Sequence, residues 1–127
     1  MAPVALTAEN FDKTIADNEI VIIDFWATWC GPCKQYGPIF ERVAENVSDI
    51  TFAKINTDEQ QQLAAQFHIR SIPTTVVMKD EIIVFQQEGV LFHEKLLDIA
   101  EKAQALDMDM VRAKIAEQEA AAAQQEG

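Results

Sequence analysis

The most apolar run in the chain, residues 20–27, constrains the fold more than any other feature of the sequence. A continuous apolar run of this length predicts a strand buried on both faces, near the centre of a sheet. Beyond it, apolar residues recur at helical spacing from Ile39 to Val47, and residues 50–56 return to strand composition. A strand, a helix and a second strand predict two parallel strands with a right-handed crossover, and therefore an α/β domain.

The second half of the chain follows a different pattern. Residues 74–78 and 82–87 both resemble strands, and only Lys79, Asp80 and Glu81 separate them. A connection this short permits only a hairpin, whose strands are antiparallel. The sequence therefore predicts a mixed central sheet flanked by helices.

Shorter elements are predicted at the amino terminus. Residues 4–6 read as a first strand. Thr7 can N-cap a helix that turns Phe11, Ile15 and Ala16 toward the core. We also expect Pro38, in the middle of the long helix, to kink that helix.

Two more helices and a tail complete the predicted order. A helix is expected at residues 57–67, with Leu63, Ala64 and Phe67 facing inward. Another is expected at residues 91–106, and its packing stripe comprises Leu96, Leu97, Ile99, Ala100 and Ala103. We therefore expect one domain at residues 1–106 and a helical or partly disordered tail at residues 107–127, whose last positions offer nothing to bury.

Length and charge limit the possible partners. A chain of 127 residues suffices for one domain with a hydrophobic core. Its formal net charge of −11 disfavours binding to nucleic acid phosphates and to anionic lipid head groups. The chain shows neither a leader-like start nor a long apolar segment, so we expect no membrane association and a cytoplasmic location.

The two cysteines carry the clearest chemical signal. Cys30 and Cys33 lie where the buried strand gives way to the helix, and residues three apart on a helix have neighbouring side chains. A disulfide between them is therefore within reach. At the helix N-terminus, unpaired backbone N–H groups favour a thiolate at Cys30, which makes Cys30 the nucleophile. Cys33, one turn further on, would then resolve the mixed disulfide.

A zinc site is the main alternative for this cysteine spacing, because C-x-x-C supplies half of many tetrahedral sites. Such a site needs four ligands. Only His68 and His93 remain as further histidines, and they lie far along the chain, without the spacing of a metal site. We therefore expect no metal and assign both histidines to ordinary surface or boundary positions.

Two segments resemble those of a known family. DFWATWCGPCK at residues 24–34 is similar to the active-site segment of thioredoxins, and IRSIPT at residues 69–74 resembles their second signature. The resemblance spans residues 4–106. It implies the thioredoxin fold and reduction of disulfide-containing client proteins. It also implies recycling by a thioredoxin reductase and no cofactor beyond the redox-active cysteine pair.

The resemblance also assigns roles to single residues. Asp24 matches the buried carboxylate that handles the proton of the resolving thiol, and Lys54 matches the lysine placed near it. Burial should raise the pKa of Asp24. Pro73 is similar to the family's cis proline. Ile72 then presents its backbone to an extended client segment, while Trp26 packs beside the site. The implied client groove comprises Trp29, Gly31, Pro32, Ile72, Pro73, Gly89 and Val90.

Some positions depart from the usual thioredoxin pattern. Glu88 and Thr57 replace apolar residues of the groove, which predicts a more polar rim. The tail at residues 107–127 is longer than usual, and a helical extension of this kind is also similar to chaperedoxin-type co-chaperones. An alternative function is therefore a co-chaperone that binds and protects clients, with the tail as a docking element.

Overall fold

The computed structural model describes residues 2–126 as an α/β domain followed by a long helix. In chain order the elements are β1 (Val4–Ala5), α1 (Phe11–Asp17), β2 (Ile20–Trp26), α2 (Gly31–Asn46), β3 (Thr51–Asn56), α3 (Gln61–Gln66), β4 (Thr74–Lys79), β5 (Ile82–Glu88), α4 (His93–Ala105) and α5 (Met108–Glu126).

The strands form one mixed sheet in the order β1-β3-β2-β4-β5, which confirms the predicted architecture. The strand β2 lies at the centre, paired in parallel with β3 and antiparallel with β4. The strands β4 and β5 form the predicted hairpin. Its loop consists of Asp80 and Glu81, both with positive φ, which is the backbone form that favours Asn and Gly.

Both faces of the sheet are covered, because alternate residues of β2 enter different cores. Ile20 and Ile22 pack against α2 and α4, whereas Val21, Ile23 and Phe25 pack in the core beneath α1 and α3. This alternation places every other side chain of the central strand on the α2 side. Asp24 shares the parity of Ile22 and therefore faces α2.

The predicted starts of two helices were wrong. α1 begins at Phe11, because Thr7 forms a turn with Asn10 in which its N–H donates to Asn10 Oδ1 at 2.7 Å. Ala16 is exposed. α3 begins only at Gln61, because Asn56 Oδ1 accepts the backbone N–H groups of Asp58 and Glu59 and holds these residues in a turn.

The carboxyl-terminal helices meet at a short break after Ala105, where α4 ends and α5 begins three residues later. The break falls near the predicted boundary between residues 106 and 107. The division into a domain and a tail stays a prediction, and its outer limits, residues 1 and 127, lie outside the described residues. Within the described part of the chain, no helix is long and apolar enough to cross a membrane.

Candidate active site

The two cysteines lie at the start of α2 and are joined in a disulfide, with their Cα atoms 5.2 Å apart. Cys30 is the N-cap of the helix, and its Sγ accepts the backbone N–H of Cys33 at 3.2 Å. Pro32 follows in the first turn, where a missing N–H costs no helix hydrogen bond. Both cysteines are largely buried. The Cys33 N–H and the N-terminus of α2 stabilise negative charge at Cys30 Sγ once the disulfide is opened.

Exposed residues surround the disulfide on its helix side. Trp29 is 67% exposed, and its indole N–H donates to Asp58 Oδ2 at 2.9 Å, which fixes the ring beside Cys30. Gly31 and Pro32 are also exposed. Exposed apolar atoms therefore lie on the surface next to the buried cysteine pair.

The segment before β4 lies against the cysteines from the other side. The peptide bond between Ile72 and Pro73 is cis, as the resemblance implied. The carbonyl oxygen of Ile72 lies 3.7 Å from Cys30 Sγ. Trp29, Ile69, Arg70 and Ile72 line part of a shallow groove of about 300 Å³, together with Thr57, Ala64 and Ser71.

Asp24 lies on β2 with no exposed surface, and neither carboxyl oxygen has a hydrogen-bond partner among the described residues. Desolvation raises the pKa of Asp24 from 3.8 to about 7, although the nearby positive charge of Lys54 acts in the opposite direction. The carboxyl group can therefore exchange a proton near neutral pH. The expected buried carboxylate is thus found at this position.

Lys54 lies beside Asp24, because the two residues are register partners in the parallel pair β2–β3. Its Nζ lies 4.9 Å from the centre of the Trp26 ring, so the ammonium group rests over an aromatic face. A cavity of about 280 Å³ is lined by Lys54, Cys33 and Gly37, with Trp26, Ala27, Thr28 and Lys34 completing its wall. This cavity gives water access to the side of Cys33.

The remaining predicted groove residues lie further from the disulfide. Gly89 has φ of +96°, a value that glycine adopts readily, and its N–H donates to the carbonyl oxygen of Pro73 at 2.8 Å. Val90 is half-buried and packs against the core between the sheet and α2. Gly89 therefore braces the proline segment, and Val90 contributes at most part of its surface to the groove.

Sequence reasoning missed a buried polar pair beneath the site. Tyr36 on α2 and Thr75 on β4 are hydrogen-bonded through their hydroxyl groups at 2.7 Å, and both side chains are buried. Burial raises the pKa of Tyr36 above its usual range. Thr75 is also the register partner of Asp24. The position of Tyr36, three residues after Cys33 on the same helix face, was the available signal.

The described residues offer no donor set for a metal centre. Among residues 2–126, no group of three or more His, Cys, Asp and Glu side chains could hold a metal ion. Both cysteine sulfur atoms are engaged in the disulfide. The arrangement as a whole is suited to forming and opening that bond.

Comparisons with known proteins agree with the geometry. The family model described as thioredoxin matches residues 2–123. A Streptomyces coelicolor protein provisionally named thioredoxin 2 is 52% identical over 119 residues, which cover 94% of this chain and 89% of that protein. The thioredoxin of Alicyclobacillus acidocaldarius is 44% identical over 96 residues, covering 75% of this chain and 91% of that protein.

Solved structures give the same result. A variant of the thioredoxin from Halobacterium salinarum superposes with a TM-score of 0.78 at 34% identity, and the match covers 84% of this chain and 94% of that chain. The family model and the S. coelicolor protein both extend beyond residue 107, so the match includes a large part of the tail.

Proposed function

This chain belongs to the thioredoxin family of thiol–disulfide oxidoreductases, which reduce protein disulfides, and we propose that Cys30 is its attacking cysteine and Cys33 its resolving one. The observation that carries the assignment is the hydrogen bond from the Cys33 N–H to Cys30 Sγ at the helix N-cap. That bond and the helix dipole favour the thiolate at Cys30 over a thiolate one turn further along.

The exchange runs in two balanced steps. In the reduced protein, the Cys30 thiolate attacks one sulfur of a client disulfide, which forms a mixed disulfide and releases the other client sulfur as a thiolate. Cys33 then loses its proton and attacks Cys30 Sγ. The Cys30–Cys33 disulfide forms, and the client leaves with both of its cysteines reduced, having gained two electrons and, overall, two protons.

Asp24 is proposed to take the proton of Cys33 in the second step, and Lys54 to support the charge that forms. A pKa of about 7 matches a group that must both accept and release a proton near neutral pH. The cavity lined by Cys33 and Lys54 supports this role, because it brings water to the thiol and to the lysine that lies beside Asp24. No metal or organic cofactor takes part in either step.

The client is proposed to lie in the groove as an extended segment. Ile72 would offer its backbone to the client in the manner of an added strand, while Trp29, Gly31, Pro32 and Pro73 flank the reacting sulfur. Gly89 would hold the proline segment in place and Val90 would close the far edge. The exposed indole of Trp29 and the groove beside Ile72 support this path.

Members of the thioredoxin family are reduced by thioredoxin reductase and act on disulfide-containing proteins. We propose the same supply of electrons for this chain, and a cytoplasmic location, because a reducing compartment keeps such a dithiol ready for use. The co-chaperone alternative is not favoured, since the matched relatives are thioredoxins and the family model already includes most of the tail.

The experiment that tests the proposal is reduction of insulin disulfides by the full chain coupled to a thioredoxin reductase. The wild-type protein should turn over, and Cys30→Ser should abolish the activity. Cys33→Ser should instead accumulate a mixed disulfide through Cys30, which mass spectrometry identifies. Turnover that persists in Cys30→Ser would exclude the proposed nucleophile, and suppression of client aggregation by the double Cys→Ser variant would favour the co-chaperone alternative.

A further inference from the structure

An ion pair lies on the rim of the client groove. Arg70, which lines the groove, places Nη2 3.2 Å from Glu88 Oε1. Glu88 ends β5 directly opposite Thr74, and the next residue, Gly89, donates to the carbonyl oxygen of Pro73. The pair therefore lies immediately beside the Ile72–Pro73 segment.

The pair can open for a client at small cost. Both partners reach into solvent, and exposed ion pairs contribute little to stability because water screens the attraction and side-chain entropy opposes it. A client side chain that replaces one partner therefore displaces a weak contact. Whether the groove favours cationic or anionic client residues depends on which of the two charges, that of Glu88 or that of Arg70, is less screened by water.

Glu88 is the less screened of the two charges. Its side chain is 48% exposed, whereas that of Arg70 is 84% exposed and can return to water when the pair opens. Asp58, which accepts the indole N–H of Trp29, adds an exposed acidic side chain beside the groove. Lys34 lines the separate cavity on the other side of Cys33 and does not offset these acidic side chains within the groove.

Building on the proposed function, we infer that Glu88 and its partner Arg70 determine client specificity, favouring disulfides whose neighbouring residues are Lys or Arg. A client cation takes the carboxylate of Glu88 and displaces Arg70 toward solvent. A client carboxylate meets the acidic rim and a chain with a net charge of −11, which disfavours its approach.

The test uses three peptides that share one internal disulfide and differ only in the two residues flanking a cysteine, which are Lys, Gln or Glu. The reduced full-length protein is mixed with each peptide, and chromatography follows the loss of the peptide disulfide. We expect the wild-type protein to reduce the Lys peptide about two- to fivefold faster than the Glu peptide, a ratio typical of one exposed charge contact. The ratio should shrink as salt is added.

Two variants should change the ratio of the Lys-peptide rate to the Glu-peptide rate in opposite directions. Glu88→Gln should lower the ratio to about one or below, because the carboxylate is lost and Arg70 is unpaired. Arg70→Gln should raise it above the wild-type value, because Glu88 is left uncompensated. Taking the ratio within each variant cancels any general change in activity, so an ion pair with a merely structural role would leave the ratio at its wild-type value in both variants.

Glu45→Gln and Arg42→Gln are the matched controls, since both exposed side chains lie toward the far end of α2, roughly 15–20 Å along its axis from Gly31. Both should retain the wild-type ratio. Equal reduction of the Lys and Glu peptides by the wild-type protein would overturn the inference alone. Failure to reduce the Gln peptide at all would count against the proposed function itself.

Discussion

At the scale of single residues, Asp24 is where the requirements of stability and of chemistry conflict. Its carboxyl group has no exposed surface and no hydrogen-bond partner among the described residues. A buried charge without partners destabilises the native state, and proteins respond by raising the pKa of such a group. The same raised pKa is what lets the group exchange a proton near pH 7.

The raised pKa of Asp24 makes the unfolding free energy depend on pH. The pKa of Asp24 is about 7 in the folded protein against an ordinary value of 3.8, so between these pH values the native state binds one proton more than the unfolded state. Stability therefore falls as the pH rises from about 4 to about 7 and then levels off. We expect Asp24→Asn, which removes the charge, to be more stable than the wild-type protein at pH 8 by roughly 4 kcal/mol.

Urea unfolding of the oxidised proteins at a series of pH values measures this difference. The difference in unfolding free energy between the two proteins should be small at pH 4 and widen as the pH rises to about 7. The two stability curves running in parallel from pH 4 to pH 8 would show that Asp24 does not titrate as described. Asp12→Asn, at an exposed position on α1, is the matched control and should leave the curve nearly unchanged.

At the scale of elements, a lysine from strand β4 caps the carboxyl end of helix α4. Lys79, the last residue of β4, is 5% exposed. Its Nζ donates to the carbonyl oxygens of Ala103 at 2.8 Å, Gln104 at 3.2 Å and Leu106 at 2.9 Å. The last carbonyls of a helix lack partners within the helix and carry partial negative charge, so this ammonium group satisfies both needs.

We expect Lys79→Met to weaken this junction. Methionine keeps the apolar stem but removes the donor, so three carbonyl groups lose a charged hydrogen bond, and the free energy of unfolding should fall by about 2–3 kcal/mol. Urea unfolding measures the loss, and hydrogen exchange should show earlier opening at the end of α4. Lys95→Met, at an exposed position on the same helix, should cost under about 0.5 kcal/mol. Equal losses in the two variants would contradict the capping role.

At the scale of the whole molecule, the first two turns of α5 attach this helix to the domain. Met108 is buried, and Arg112 bridges Asp80 in the β4–β5 loop at 3.2 Å. Asp107 Oδ1 accepts the N–H groups of the two residues at the start of the helix and helps to fix its direction. The side chains of residues 116–125 are exposed. The helix therefore has an anchored beginning and a solvent-exposed remainder.

Two truncations should separate these parts. Ending the chain after residue 116 removes residues 117–125, whose side chains are exposed, together with the last two residues, so the unfolding free energy should change by less than about 0.5 kcal/mol. Ending it after residue 107 also removes the buried Met108 side chain and the bridge to Asp80, which should cost about 1–3 kcal/mol. Urea unfolding measures both values. A loss of stability already in the shorter deletion would mean that the distal helix packs on the domain.

The sequence by itself determined the features that depend on nearby residues. The apolar run of β2, the short connection of the hairpin and the helical spacing of α2 each follow from periodicity and turn length. They were enough to predict a mixed sheet and a cysteine pair at a helix start, whereas the burial of Asp24 was expected from the resemblance. The resemblance added the cis bond at Pro73, which neither spacing nor composition could supply.

Only the tertiary structure decided the contacts between residues far apart in the chain. The hydrogen bond between Tyr36 and Thr75, the capping of α4 by Lys79 and the pairing of Arg70 with Glu88 each join positions that lie 18 or more residues apart. A side chain in one element can find such a partner only after the sheet order and the helix packing bring the two together. Local patterns therefore identified the reactive cysteines, whereas packing decided what surrounds them.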